Sequence, residues 1–502
     1  MPTAKAITAK LQVHETEREM AQANVMPTDF SDAGNTRTFT LNYGGNIRYV
    51  DGIGWLQWTG RVWKPDKHAV YQIATDFTET MRQDALALYS DTLHKAADAE
   101  AKYKDSGDEN DKKELEQIKT EAQIAEAYLV HAKRSRERNR IAAIVELASH
   151  DRNIVKDISV LDARWTMLNR PDGVTDLRSG VTTFNTENHD SKNLYFTKMT
   201  TTKASSDGKE IWMDFLKTIT CDDVELEKYL QEIVGMSLYG KVFEEGTYFC
   251  TGSGKNGKST FWNSIQAVLG DYAGTINIDT LTTTTQNNGA ELATLRGKRL
   301  IVAGEMEEGK TLSASVLKQI TSTDVIHCNP KYRDPFDFIP SHTLVVFTNH
   351  LPKVKSSDNG TWRRLKIIPF NAVISDKTDV PNYGDYLVEN AGPAILQWCV
   401  DGATQFWKNG RKLSEPEAVK RATGNYKQRE DWLTRFIDKM CVVEVGAQEG
   451  LTELYAVYRD WSEMEGEDRL KKREFSNKLM DAGFRRTEHS RVVTFHGIRL
   501  DY

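Results

Sequence analysis

At 502 residues the chain is longer than a single hydrophobic core sustains, and roughly two to four domains are expected. Its 39% hydrophobic and 27% charged residues are an ordinary balance for a soluble protein, and no apolar run is long enough to span a membrane. The net charge of −6 excludes a surface coated throughout in positive charge for gripping DNA, but not a ring or channel that gathers Lys and Arg on one inner face.

Residues 1–28 are polar and weakly patterned and read as a mobile tail without a signal-peptide core. Residues 29–75 read as a small β-containing element. FTLNY, NIRYV and WLQWTGRVW are short extended segments, punctuated by Gly44-Gly45, Asp51-Gly52 and Thr59-Gly60. Residues 76–235 read as a mainly helical region, a candidate collar. Within it AKYKDSGDENDKKELEQ is too polar for a core and forms a solvated helix or the bend of a helical hairpin. The basic run Lys133–Arg140 reads as a solvated helix face, with nucleic-acid contact as the alternative. Turn signals follow at Asn169–Gly173 and Ser179-Gly180, then a helix over roughly Asp222–Leu238.

From 236 to 375 the pattern becomes α/β. An apolar strand at Thr247–Thr251 leads through a glycine loop to a helix from Lys258, and further strands are expected at Arg299–Ala303 and Thr343–Thr348. A helical segment occupies 376–430. Residues 431–502 read as a separate domain: Leu451, Leu454, Tyr455, Tyr458 and Trp461 fall at helical spacing, Phe475 and Leu479 mark a second helix, and VVTFHGIRL closes as a hairpin-like element. Helices followed by a hairpin suggest a winged helix. The five cysteines (Cys221, Cys250, Cys328, Cys399, Cys441) form no metal-like cluster and read as reduced, buried thiols of a cytoplasmic protein.

The loop GSGKNGKS has the parts that phosphate binding requires. Gly252, Gly254 and Gly257 let the backbone turn with its N–H groups inward, around Ser253, Lys255 and Asn256. Lys258 reaches the β- and γ-phosphates, Ser259 ligates Mg²⁺, and the helix that opens through Thr260 presents its positive end to the anion. An ATPase also needs acids at a neighbouring strand end, and RLIVAGEMEEG supplies Glu305 and Glu307. One is expected to hold Mg²⁺ through water and one to orient the attacking water; the spacing does not settle which. Asn349, at the end of TLVVFTNH, offers an amide to the γ-phosphate or the lytic water. Arg363 and Arg364 follow a turn, where a planar cation can reach a neighbouring subunit's ATP as an arginine finger, a contribution of about 10³–10⁵ in rate.

The order of these motifs resembles the superfamily 3 helicases, specifically the poxvirus-type primase-helicase family shared by phages and plasmids. The resemblance runs from about Asp32 to the C-terminus through SDAGNTRTFTLNYGGNIRYV, LDARWTMLNRPDGVTDLRSG, LKQITSTDVIHCNPKYRDPFDFIPSHTLVVFTNHLPKV, GTWRRLKIIPF and ENAGPAILQWCVDGATQFW; Asp172 stands where the family usually has Asn. It implies a multidomain α/β and α protein: a P-loop, AAA+-like ATPase core with a helical N-terminal region and a C-terminal winged helix. It implies ATP and Mg²⁺ as cofactors, with Glu305 as the Walker B acid and Glu307 close by, Asn349 as sensor and Arg363 or Arg364 as finger. It also implies a homo-hexamer translocating 3′→5′, with Ile326–Phe338 as a pore hairpin carrying Lys331, Tyr332 and Arg333 near its tip against single-stranded DNA.

The segment from Arg469 onward is locally basic, and Lys472, Arg473, Arg485 and Arg486 are candidates for duplex DNA contact. No paired Asp-x-Asp for two-metal nucleotidyl transfer is evident, so priming is expected to come from a separate primase, beside a separate polymerase. The expected setting is the host-cell cytoplasm, the chain being encoded by a phage or mobile element. Two rivals remain: an ATP-dependent origin-binding initiator without processive unwinding, and a P-loop small-molecule kinase.

Overall fold

The structure, a computed structural model, describes residues 24–184, 191–283, 289–329, 335–354, 359–374, 381–465 and 469–501. They divide into two compact units, one comprising residues 24–164 and 191–199, the other Trp165–Phe184 and the chain from Thr200.

The first unit opens with a helix, α1 (Asp32–Tyr43), where FTLNY was expected to be extended. The Thr/Phe alternation mimics a strand, but Ser31 caps Gly34 N–H at 3.0 Å and the Thr36 hydroxyl bonds back to Asp32 O at 2.8 Å, which satisfies these polar groups inside a helix. Strands β1 (Ile47–Val50), β2 (Gly54–Trp58) and β3 (Trp63–Pro65) follow, then helices α2 (Lys67–Ser106), α3 (Glu109–Ser135) and α4 (Arg138–Ala148), and a short β4 (Val155–Lys156). The sheet runs β3-β2-β1-β4. Phe39, Val70, Phe77 and Met81 pack with Tyr128, Leu129 and Ile144 into one core. The α2–α3 bend sits at Gly107, whose φ of +62° suits glycine, and Lys102 braces it on Asp111 and Glu114, each at 2.8 Å. The basic run is partly spent within the unit, Arg136 pairing with Glu79 at 2.9 Å and Arg140 with Asp32 at 2.6 Å.

The second unit begins with an antiparallel sheet of β5 (Met167–Arg170), β6 (Gly173–Asp176) and β7 (Val181–Phe184), so the stretch expected to be mainly helical carries paired four-residue strands. Helices α5 (Lys209–Thr220) and α6 (Val224–Ser237) follow. Next come β8 (Thr247–Thr251), α7 (Lys258–Leu269), β9 (Ala273–Ile276), α8 (Gly289–Ala293), β10 (Leu300–Ala303) and α9 (Ala314–Thr321). The hairpin strands β11 (Ile326–Cys328) and β12 (Phe336–Phe338) precede β13 (Thr343–Thr348), α10 (Asn359–Trp362), β14 (Leu365–Pro369), α11 (Tyr383–Lys408) and α12 (Glu417–Glu430). Five strands pair in parallel in the order β14-β8-β13-β10-β9. Their side chains alternate between two cores. Tyr248, Cys250, Val302, Val345 and Ile368 face one. Phe249, Ile301, Val346 and Ile367 face the other. A parallel sheet needs both faces covered, which is why these strands read as continuous apolar runs.

Helices α6 and α11 touch backbone to backbone. A Cβ on Gly235 would lie 2.2 Å from the Gly402 carbonyl carbon, and one on Gly402 would lie 2.4 Å from Gln231 O. The chain closes with α13 (Trp432–Met440), β15 (Cys441–Gly450), α14 (Leu451–Met464), α15 (Lys472–Asp481), β16 (Arg485–His489) and β17 (Val492–Leu500). Its sheet order is β15-β17-β16, so VVTFHGIRL is the central strand rather than a hairpin by itself. Tyr458 stacks on Phe475 at 4.5 Å within its core. Cys221 is exposed, against the expectation of burial, while the other four thiols are buried. Among the described residues no helix is long and apolar enough to cross a membrane.

Two predictions follow from this packing. Gly235→Ala should lower the unfolding free energy by about 1–3 kcal/mol in denaturant titration, since the helices must part. The control Gly424→Ala, in open space on α12, should be neutral or stabilising by up to about 1 kcal/mol. His342 is fully buried, and burial pushes its pKa down to about 4 from 6.5. The folded state therefore disfavours the imidazolium. Stability present above about pH 6.5 is lost as pH falls toward 4, at about 1.4 kcal/mol per pH unit, and His342→Leu should flatten that limb in Tm-versus-pH scans.

Candidate active site

The site is built at the carboxyl ends of three adjacent strands, β8, β13 and β10. After β8 the loop Gly252–Gly257 turns tightly into α7. A Cβ on Gly252 would sit 2.1 Å from Asn256 Nδ2 and 2.4 Å from Phe370 O, so only glycine fits where the loop folds over the Asn256 amide. Gly254 and Gly257 take φ of +96° and +79°, and Lys255 adopts +45° between them. Asn256 is buried and donates to Phe370 O at 3.3 Å, while Phe370 N–H donates to Thr251 O at 2.8 Å; the end of β14 thus braces the loop.

Lys258, the first residue of α7, is only 6% exposed. Its ammonium donates to Asn256 Oδ1 at 2.8 Å, to Asn349 Oδ1 at 3.0 Å and to Gly252 O at 3.4 Å. Burial lowers its pKa below the ordinary lysine value, against smaller opposing pulls from Cys250 and Glu305. These contacts join the loop to the tip of the neighbouring strand. Thr348, at the end of β13, fixes that tip: its hydroxyl donates to His350 O at 2.9 Å and accepts from Met306 N–H at 3.3 Å, tethering the loop that carries Glu305. Asn256 was named in the sequence only as part of the loop, and Thr348 did not stand out, because it acts by orienting another group.

Glu305 and Glu307 separate. Glu305 is solvent-exposed and close enough to Lys258 to act on its titration. Glu307 turns away, paired at 3.3 Å with Lys310, which also meets Asp279 at 3.2 Å. Ser253, Lys255 and Ser259 are exposed and Thr260 is half-buried, and Ser259 and Thr260 border an open cleft. Among the described residues no group of three His, Cys, Asp or Glu side chains gathers in the manner of a protein-only metal cage. One hydroxyl and one carboxylate, Ser259 and Glu305, suit a hard cation that keeps its waters and takes further oxygens from a phosphate.

Arg363 and Arg364 lie elsewhere, just before β14 and therefore at the amino-terminal edge of the parallel sheet. Arg364 is buried, donates to Gly360 O at 2.7 Å and pairs with Glu245. Arg363 donates to the same Glu245 carboxylate at 2.9 Å, yet its side chain is 66% exposed. Glu245, which the sequence did not single out, precedes β8 and holds both arginines. The five residues of β8 place the pair about 15 Å from their own glycine loop.

The hairpin expected at Ile326–Phe338 is present at its base, where Ile326 pairs with Phe338 and Cys328 with Phe336. His327 and Asp337 meet across it at 2.7 Å. Lys331, Tyr332 and Arg333 lie outside the described residues. In the C-terminal sheet Arg485 and Arg486 are exposed on β16, Arg486 pairing with Glu488 at 2.8 Å. Lys472 and Arg473 open α15, and Lys472 donates to Thr452 Oγ1 at 2.8 Å.

A family model described as D5 N terminal like matches residues 37–221, and one described as a family of unknown function, DUF5906, matches residues 250–364. A protein of Acanthamoeba polyphaga mimivirus named as a helicase is 29% identical over 266 residues, covering 49% of this chain and 28% of its own. A frog virus 3 protein, also named as a helicase, is 27% identical over 232 residues, covering 43% and 24%. An African swine fever virus protein named as a primase is 25% identical over 230 residues, covering 42% and 24%. Over these stretches the chain is similar to the D5 N-terminal-like model and to viral proteins named as helicases or primases. It spans only about a quarter of the length of these relatives. The apo structure of the NrS-1 C-terminal region aligns with a TM-score of 0.39 at 12% identity, over 59% of this chain and 78% of that one.

The unequal burial of the two arginines gives a test. Arg364→Ala should cost about 1.5–3 kcal/mol of stability through its lost charge-assisted bonds. Arg363→Ala, at an exposed pair, should cost less than about 1 kcal/mol. Equal losses in thermal or denaturant unfolding would contradict the division of roles.

Proposed function

We propose that this chain is an ATP-dependent DNA helicase of the superfamily 3 type, acting in viral, phage or plasmid replication as a homo-hexameric ring that moves 3′→5′. On this reading the parallel sheet is the AAA+-like core and the C-terminal unit of helices and sheet is a winged helix. The observation that carries the proposal is the position of the Lys258 ammonium, held between Asn256 and Asn349 and facing Glu305. A desolvated cation with only neutral hydrogen-bond partners is poised for an anion, and it sits at the positive amino end of α7.

In the proposed mechanism Lys258 holds the β- and γ-phosphates, and Asn349 moves from the ammonium to the γ-phosphate or the attacking water. Ser259 and Glu305 would hold Mg²⁺, which neutralises charge developing on the phosphates. Glu305 also stands where a carboxylate can orient water, whereas Glu307 is engaged by Lys310. Arg363 lies too far from its own loop to serve it. Its exposure suits it to complete a neighbour's site in trans, with Glu245 and buried Arg364 as its mount. Lys331, Tyr332 and Arg333 are proposed to track single-stranded DNA in the pore, and Lys472, Arg473, Arg485 and Arg486 to meet duplex DNA.

Single-stranded DNA should stimulate ATP turnover, and Lys258→Ala should reduce turnover by at least about 10²-fold. Arg363→Ala should reduce it by about 10³-fold or more, and mixing that variant with the parent should depress activity more steeply than the mixing ratio. Turnover indifferent to DNA would favour the initiator or the kinase, and a proportional loss on mixing would remove the trans arginine.

A further inference from the structure

The first unit carries a pocket of its own, about 530 Å³, within the size range of small-ligand sites. It opens between the paired strands β1 and β2, the start of α2 and the end of α4. Tyr49 and Trp55 come from the strands, Tyr71 from the second turn of α2, and Glu146 from α4. We propose that this pocket captures an arginine side chain from a basic peptide segment of a partner protein, its guanidinium held among the three rings and Glu146. The inference is independent of the nucleotide site and of the motor reading.

The strand register builds the cage. Tyr49 and Trp55 stand opposite each other in the antiparallel β1–β2 pair, and their rings meet edge-on at 5.3 Å and 72°. Two rings near a right angle form a corner, and Tyr71 adds a third ring to the wall. The negative face of an aromatic ring attracts a cation within about 6 Å of its centre. Trp55 is only 6% exposed, so its ring is a packed wall rather than a loose flap. Ile53 and Val145 supply apolar surface along which the methylene stem of an arginine can lie.

Charge then selects the occupant. Two carboxylates, Asp66 and Glu146, line the pocket against one ammonium, Lys67. The Asp66 carboxylate is already engaged, accepting from Ala69 N–H at 2.9 Å as the cap of α2. Glu146 is exposed, and among the described residues its carboxylate has no ion-pair partner. It is the acid left to meet a cation. A guanidinium fits this set better than an ammonium, because its plane stacks on a ring while its edge gives a carboxylate two parallel hydrogen bonds. The same carboxylates oppose a phosphate backbone, so the rings are not placed as a platform for nucleic acid.

The test measures equilibrium binding to the full chain of a capped Gly-Arg-Gly peptide and of its citrulline and lysine counterparts, with oligothymidylate as competitor. The arginine peptide should bind about tenfold more tightly than the citrulline peptide, which keeps the shape and loses the charge, and about threefold more tightly than the lysine peptide. Glu146→Gln should bring the arginine peptide to the citrulline level, and Tyr71→Ala should weaken it about fivefold. Both side chains are exposed, so the two variants should keep the parent's Tm and its ATP turnover. Absence of binding by the arginine peptide, or equal affinity of the parent chain for it and either counterpart, overturns the inference without recourse to any variant. An arginine preference that survives Glu146→Gln, or displacement of the peptide by oligothymidylate, overturns it as well.

Discussion

The site depends on one buried cation. Lys258 carries its ammonium at a position that is 6% exposed, with amide and carbonyl oxygens as its hydrogen-bond partners. Desolvation disfavours the charged form, and the fold offsets that cost with well-placed acceptors rather than a full counter-ion. Much of the neighbouring structure maintains those acceptors. Gly252 makes room for Asn256, Phe370 anchors the Asn256 amide, and Thr348 fixes the strand tip that presents Asn349. Removing any of these changes where the ammonium points without touching the ammonium.

The parallel sheet imposes a second constraint, because it gives the unit two chemically different edges. Lys258, Asn349 and Glu305 belong to the carboxyl edge, and Glu245, Arg363 and Arg364 to the amino edge, with β8 spanning the distance. A cation at the far edge is of no use to its own loop. On the proposed ring Arg363 would have to serve a neighbouring subunit's loop rather than its own. Arg364 is buried on Glu245, and Arg363 shares that carboxylate from a side chain that is 66% exposed.

Much of this was legible in the sequence where a residue type and its spacing determine both shape and chemistry. The strands at Thr247–Thr251 and Thr343–Thr348, the helix starting at Lys258 and the bend of the long helical hairpin follow from apolar runs, glycines and charge. What could not be read depends on contacts between distant segments. The helix over Asp32–Tyr43 looked extended because its alternating threonines satisfy themselves by back-bonding to the helix carbonyls. The spacing of Glu305 and Glu307 did not settle their roles, and the structure distinguishes them by pairing Glu307 with Lys310. Glu245 lies over a hundred residues from the arginines it holds, and no local pattern announces it.

The most direct measurement is strand displacement on forked DNA carrying either a 3′ or a 5′ single-stranded tail, with the mass of the assembly recorded in the presence of ATP. The account predicts ATP-dependent separation of the 3′-tailed fork by a six-subunit species, and none by Lys258→Ala. Protein that binds ATP yet separates neither fork, or that works as a monomer, would contradict it.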